Sequence, residues 1–183
     1  MPQLSAAEID AFLDEPGHLL RLATVDDDGF PRVVPIWFIR QGDDLLFTPR
    51  GPSAFLANIR RDPRVGLSID EDPLPYRKVT VRGTARIVHD LGDDDEWRDL
   101  YRSTAKRYVP AEAADAYVDA TIDQPRALIA VSLVGDSRVS TWRMPVGDED
   151  GTGIWHRRYY LDGTQMANLA DSGTGREGFV PDP

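Results

Sequence analysis

Residues 76–88 read YRKVTVRGTARIV. Val79, Val81, Ala85 and Ile87 fall on one side of an extended chain, and Lys78, Thr80, Arg82, Thr84 and Arg86 fall on the other. A strand of this length with one apolar and one cationic face predicts a sheet that covers a core on one side only, which is the antiparallel habit. On its N-terminal side, Val65, Leu67 and Ile69 alternate with Gly66 and Ser68, giving a second strand of the same kind, joined to the first by the turn-rich EDPLP.

Working outward, residues 18–25 (HLLRLATV) and 32–40 (RVVPIWFIR) read as hairpin partners across the turn at 26–29, and residues 45–48 as a third strand after a turn at 41–44. Three consecutive strands with short polar turns predict a meander. Residues 126–134 and 137–142 supply two later strands. Ser5 followed by Glu8 is a capping box, and Ile9, Phe12 and Leu13 form the apolar stripe of a short helix. A second helix begins at Gly51-Pro52-Ser53, with Phe55, Leu56 and Ile59 on its buried face, and stops at Asp62-Pro63. Helical segments follow Asp93–Asp95 and span 111–120, placed to cover one end of a barrel. The fold class expected is α+β, mainly β: an antiparallel barrel of six to seven strands with flanking helices. Residues 1–163 form one domain and 164–183 a flexible C-terminal tail.

The chain has 183 residues, 41% of them hydrophobic and 28% charged, enough for one domain with a substantial core. No stretch approaches the roughly 18 to 20 apolar residues of a membrane span, and MPQLSAAEIDAF lacks a basic, apolar leader. The expected address is cytoplasmic. A formal charge of -10 argues against nucleic acid as a partner. The absence of cysteine excludes disulfides, thiolate metal sites and a cysteine nucleophile. His18, His89 and His156 have no ligand spacing, so no metal is expected. There is no G-x-S-x-G elbow and no glycine-rich phosphate loop. The acidic chain nevertheless has a basic middle, with Arg60, Arg61, Arg64, Arg77, Lys78, Arg82 and Arg86. A small anionic molecule suits that middle.

LATV at 22–25, GFPRVVP at 29–35, LFTPR at 46–50, Ser53, NIRRDPRV at 58–65 and YRKVTVRG at 76–83 together resemble the flavin-binding split β-barrel family typified by pyridoxamine 5'-phosphate oxidase. The resemblance covers residues 5–143. It implies a homodimer that holds FMN, or alternatively the deazaflavin coenzyme F420, in a groove between two subunits. Carried over by position, Arg32, Val33, Val34, Pro35, Phe47, Thr48, Pro49 and Arg50 would line the ring and ribityl chain. Ser53 would meet the phosphate, and Lys78 would reach in from the polar face of the long strand, with Arg77 and Arg82 in support. Trp142 and Arg143 resemble late residues that approach from the partner chain. Two positions depart from the pattern: Ala54 and Phe55 stand where the oxidases place basic residues after the serine, and Lys78 replaces a glutamine.

Elementary physics agrees that a helix start at 51–53 offers free N–H groups to a phosphate, beside the donor fork of Arg50. Solvation of a barrel exterior accounts equally well for Arg32 and Arg40, and helix-dipole complementarity accounts for Arg60 and Arg61. Trp37 and Trp97 read as core, whereas Trp142 and Trp155 lie in less regular segments near a ligand or interface. The function expected is a flavin- or deazaflavin-dependent oxidoreductase acting on a small organic substrate. The alternative is a non-catalytic binder of flavin, haem or another planar anion. No catalytic residue stands out.

Overall fold

In the computed structural model, which describes residues 2–149 and 159–171, the strand opening at Lys78 organises the sheet. This strand, β6 (Lys78–His89), is twelve residues long and has a different neighbour along each half of one edge. Residues 78–82 pair with β8 (Arg138–Trp142), and residues beyond Ala85 pair with β7 (Leu128–Ser132). Its other edge pairs with β5 (Arg64–Asp70). The remaining strands are β1 (Leu20–Val25), β2 (Pro31–Ile36), β3 (Ile39–Gln41) and β4 (Asp44–Phe47). The sheet order is β2-β1-β5-β6-β7-β4-β3, all antiparallel, with β8 as the branch on β6. This is the curled, split antiparallel architecture expected, with eight strands among the described residues.

Two expectations need correction. Residues 32–40 are not one strand, because the chain breaks at Trp37-Phe38 into β2 and β3. Nor do the first strands form a meander: β1 pairs with β2, but β3 and β4 lie at the far end of the sheet, against β7. The Tyr108 hydroxyl pins the break, accepting from the Phe38 N–H at 3.0 Å and donating to the His18 carbonyl at 2.9 Å, while its ring stacks on Trp37 at 5.1 Å. A side chain 70 residues away therefore sends the strand across the barrel mouth.

The alternation in β6 is realised: Val79, Val81 and Ala85 are buried, with Leu20, Leu22, Leu67, Ile69, Phe47 and Ile129 as neighbours in one core. Each such side chain contributes about 1.5–3 kcal/mol of apolar burial. Helix α1 (Ala6–Asp14) starts with the expected capping box, in which the Ser5 hydroxyl accepts from the Glu8 N–H and the Ser5 N–H donates to the Glu8 carboxylate. Helix α2 (Ala54–Arg61) packs Leu56 and Ile59 into the barrel. Helices α3 (Asp94–Lys106) and α4 (Ala111–Ala120) cover the β4–β7 part of the sheet, where Trp97, Tyr101, Ala105, Ala114 and Val118 bury Leu46, Leu128 and Ala130. In the segment expected as a tail, Gln165–Asp171 form α5, with Ala167 buried. Residues 172–183 and Trp155 lie outside the described residues. No helix among the described residues is long and apolar enough to cross a membrane.

Gly83 sits where β6 passes from β8 to β7, and a Cβ there would lie 2.8 Å from Ser137 Oγ and 3.1 Å from Val131 Cγ1. Ser137 can rotate, but Val131 is locked in the core. Gly83→Ala is therefore expected to destabilise the fold by about 1–3 kcal/mol through overpacking, read as a fall in thermal midpoint of a few degrees.

Candidate functional site

The twelve residues singled out from the sequence separate into three groups, the first being two arginines held in ion pairs at different ends of the sheet. Arg32, on the inward face of β2, gives its guanidinium to Asp26 through two hydrogen bonds of 2.7 and 2.8 Å, and Asn58 Nδ2 adds a third donor to the same carboxylate at 2.7 Å. These bonds, Arg32's first, hold the Asp26 carboxyl below its usual range. Arg77 precedes β6 and follows Tyr76, whose φ of 56° ends the extended run. Its guanidinium bridges Glu15 (2.7 Å) and Glu71 (2.6 Å) and lies over the Phe12 ring. His18, whose Nε2 is 3.2 Å from Glu15, completes a group of two carboxylates and an imidazole that resembles a cation site. The guanidinium already sits between those carboxylates, so the group is an ion-pair box tying α1 to the β5–β6 turn. Neither arginine has a charge to spare for a cofactor.

The second place is the outward face of the sheet. Register puts Lys78 opposite Trp142, with Lys78 Nζ 4.6 Å above the indole. Burial lowers the lysine's pKa, against the opposing charge of Asp70. The same face carries the small side chains of Ala23, Gly66, Ser68, Thr80 and Ser140 on neighbouring strands. Val33 and Pro35 of β2 extend it, Val33 being 64% exposed, whereas Val34 turns inward against the core. Phe30, just before β2, is 70% exposed. This is a broad, partly apolar face of the sheet.

The third place is the end of β4. Phe47 is fully buried in the core, and Pro49 is buried with its carbonyl accepting from Ala127 N–H. Thr48 opens into a cavity of about 170 Å³, lined also by Ile36, Trp37, Phe55, Tyr101, Tyr117 and Arg126. Ser53 is the N-cap of α2, and its hydroxyl makes no capping bond. Arg50 reaches the cavity's edge by donating to Tyr117 Oη at 2.9 Å, and Arg126 donates to the same oxygen at 3.2 Å. Arg126 also donates to the Thr48 carbonyl at 3.1 Å and lies 4.4 Å over the Tyr101 ring. Burial resists ionisation of Tyr117, but the Tyr101 hydroxyl and then the two guanidinium charges outweigh it, so its phenol is more acidic than usual. Tyr101 is shifted up, chiefly by burial and then by the same contact with Tyr117.

Of the residues expected from sequence, Thr48 lines this cavity, Arg50 borders it and Ser53 caps the helix that carries Phe55. Lys78 and Trp142 do not line it. Tyr101, Tyr117 and Arg126 were not anticipated, and Trp37, read as core from the sequence, lines the cavity. The only hint was charge inside an apolar run, an arginine heading ALIAV. A wider cavity of about 620 Å³ lies between β6, β7, β4 and α3. Its arginines are already paired, Arg86 with Asp44 and Arg98 with Asp95, which favours the smaller cavity as the place for an outside anion.

The family described as pyridoxamine 5'-phosphate oxidase matches residues 5–135. Among solved structures, an F420 reductase is 27% identical with a TM-score of 0.51, over 75% of this chain and 98% of that one. A conserved hypothetical protein from Mycobacterium tuberculosis is 25% identical with a TM-score of 0.60, over 79% and 92%. An FAD-binding protein from Mesorhizobium loti is 23% identical with a TM-score of 0.54, over 76% and 93%. The comparison with curated proteins finds no match.

Proposed function

Because this chain belongs to the pyridoxamine 5'-phosphate oxidase family, we propose that it binds a flavin or deazaflavin, FMN or coenzyme F420, and works as an oxidoreductase on a small organic substrate. The observation that carries this reading is the aromatic, arginine-bearing cavity where β4 runs into α2. An F420 reductase of the same fold supports the deazaflavin form and an FAD-binding protein the flavin form. The residues present fit such a group. Arg126 is 7% exposed and its Nε–H has no acceptor among the described residues, while Trp37 and Phe55 give apolar walls for part of a planar molecule.

The cavity is smaller than the roughly 300–1,000 Å³ of a complete small-molecule site, so one chain supplies only part of the groove. A homodimer supplies the rest. The outward face with Ala23, Gly66, Ser68 and Thr80, bordered by exposed Val33 and Phe30, is the surface suited to a second copy. Lys78 and Trp142 on that face would then be presented to the partner's cavity, joining two places that one chain keeps apart. The bound coenzyme would supply two-electron redox chemistry. The protein would orient it, exclude water with Trp37 and Phe55, and neutralise its anionic end with guanidinium groups. Phe55 also supports a second reading, a non-catalytic carrier of flavin, haem or another planar anion, since α2 offers no basic side chain in its first turn.

Titrating the purified protein with FMN and with F420, followed by absorbance, is expected to give one coenzyme per chain at micromolar concentration. Binding of neither removes both readings. Turnover of a coenzyme-loaded sample with reductants and acceptors separates the enzyme from the carrier.

A further inference from the structure

Arg126 is a buried cation without an anion. Its side chain is in contact with a carbonyl, a phenol oxygen and an aromatic face, all neutral or nearly so, and no carboxylate among the described residues bonds to it. Asp94 is the nearby carboxylate, yet it accepts from the backbone N–H of Arg126, at 2.9 Å, and not from the guanidinium. Arg50 likewise has no carboxylate partner among the described residues, and it converges on the same Tyr117 oxygen. The contrast within this acidic chain is sharp, because Arg21, Arg32, Arg40 and Arg86 each hold an aspartate. None of the seven residues lining the cavity is acidic. A guanidinium that has lost most of its water without gaining a counter-ion is strongly disfavoured. An anion from outside the chain resolves that deficit.

We propose that Arg126 and Arg50 form the anion clamp of this barrel, and that the cavity beside them receives a phosphoryl group. Tyr117 holds the two planar forks together through one oxygen when no anion is bound. Arg126 lines the cavity, and its buried Nε–H has no acceptor among the described residues, so the guanidinium's donors are not all used within the chain. Phosphoryl oxygens match guanidinium forks in charge and geometry. The size of the cavity suits the end of a ligand and not a whole coenzyme. The start of α2 adds to the site, because Ser53 makes no side-chain capping bond and Phe55 of the first turn forms part of the wall. The identity of the phosphorylated ligand rests on the coenzyme reading above, whereas the anion clamp does not.

The test compares ligand pairs that differ by the phosphate: FMN against riboflavin, and F420 against its phosphate-free deazaflavin alcohol. Dissociation constants are measured for wild type, Arg126→Met and Arg50→Met, with inorganic phosphate titrated separately and circular dichroism as the fold control. Wild type is expected to prefer the phosphorylated member of one pair by about tenfold or more, as one or two charge-assisted hydrogen bonds imply. Which pair shows the preference identifies the source of the phosphate. Arg126→Met should bring the preference to about twofold or less and Arg50→Met should reduce it severalfold, with the phosphate-free ligand bound as before. A preference that survives both substitutions, or an equal loss for both members of a pair, overturns the clamp. If Arg126→Met does not fold, Arg50→Met decides alone. If wild type binds no flavin or deazaflavin, the coenzyme reading falls. The clamp then stands if wild type shows a saturable phosphate response that a folded variant weakens about tenfold, and it falls if there is none.

Discussion

Substituting Ala23 by arginine is expected to leave a folded monomer that binds neither FMN nor F420. Ala23 lies on the outward face of β1, with Val33 and Gly66 as its cross-strand neighbours, and its side chain does not enter the core. On a free sheet face a long cationic side chain is harmless. Under a second copy it would be buried on a face whose nearby aspartates, Asp70 and Asp62, are already held by Arg21 and Arg64. Burying that charge without a partner costs several kcal/mol, enough to weaken association by about a hundredfold or more. Light scattering reads the mass, and the coenzyme titration reads the coupled loss. A dimer that persists with coenzyme bound would show that this face is not the interface.

Removing Arg77 is expected to cost the fold several kcal/mol of stability. The Glu71 side chain is only 5% exposed and takes two hydrogen bonds from the guanidinium, which also supports the more exposed Glu15. Arg77→Met would strand the buried Glu71 carboxylate, and breaking such a pair costs about 3–5 kcal/mol, a large part of the 5–15 kcal/mol typical of a domain. Chemical denaturation should show it. The pH dependence has a definite sign. Hydrogen bonds from Arg77 hold both Glu71 and Glu15 below the ordinary glutamate value of 4.5. Their contribution is therefore fully present above that value and is lost as pH falls through the lowered values. Wild type should lose stability in that acid window, and Arg77→Met should lose less, because the largest cause of both lowered pKa values is gone.

How much could be read from the sequence follows from how local each feature is. The two faces of β6, the capping box of Ser5 and Glu8, and the start of α2 after Ser53 each depend on residues within a few positions of one another. Backbone geometry imposes those patterns directly. The break at Trp37-Phe38 could not be read that way, because the hydroxyl that causes it belongs to Tyr108. Arg32 and Arg77 looked available for a ligand for the same reason. Nothing in RVVP or YRK announces that Asp26, or Glu15 with Glu71, closes on them.

The order of apolar and polar residues thus determined by itself most of the strands and the fold class, since these need only the periodicity of an extended chain, and blocks in a fixed order carried the family resemblance. Tertiary structure alone decided the candidate site. Residues 37, 48, 50, 55, 101, 117 and 126 come from separate elements. Whether an arginine is neutralised by its own protein or left to attract an outside anion depends on which carboxylates packing brings within about 4 Å, where Coulombic attraction becomes decisive. Here packing supplied carboxylates to Arg32 and Arg77, and among the described residues it supplied none to the guanidinium groups of Arg50 and Arg126.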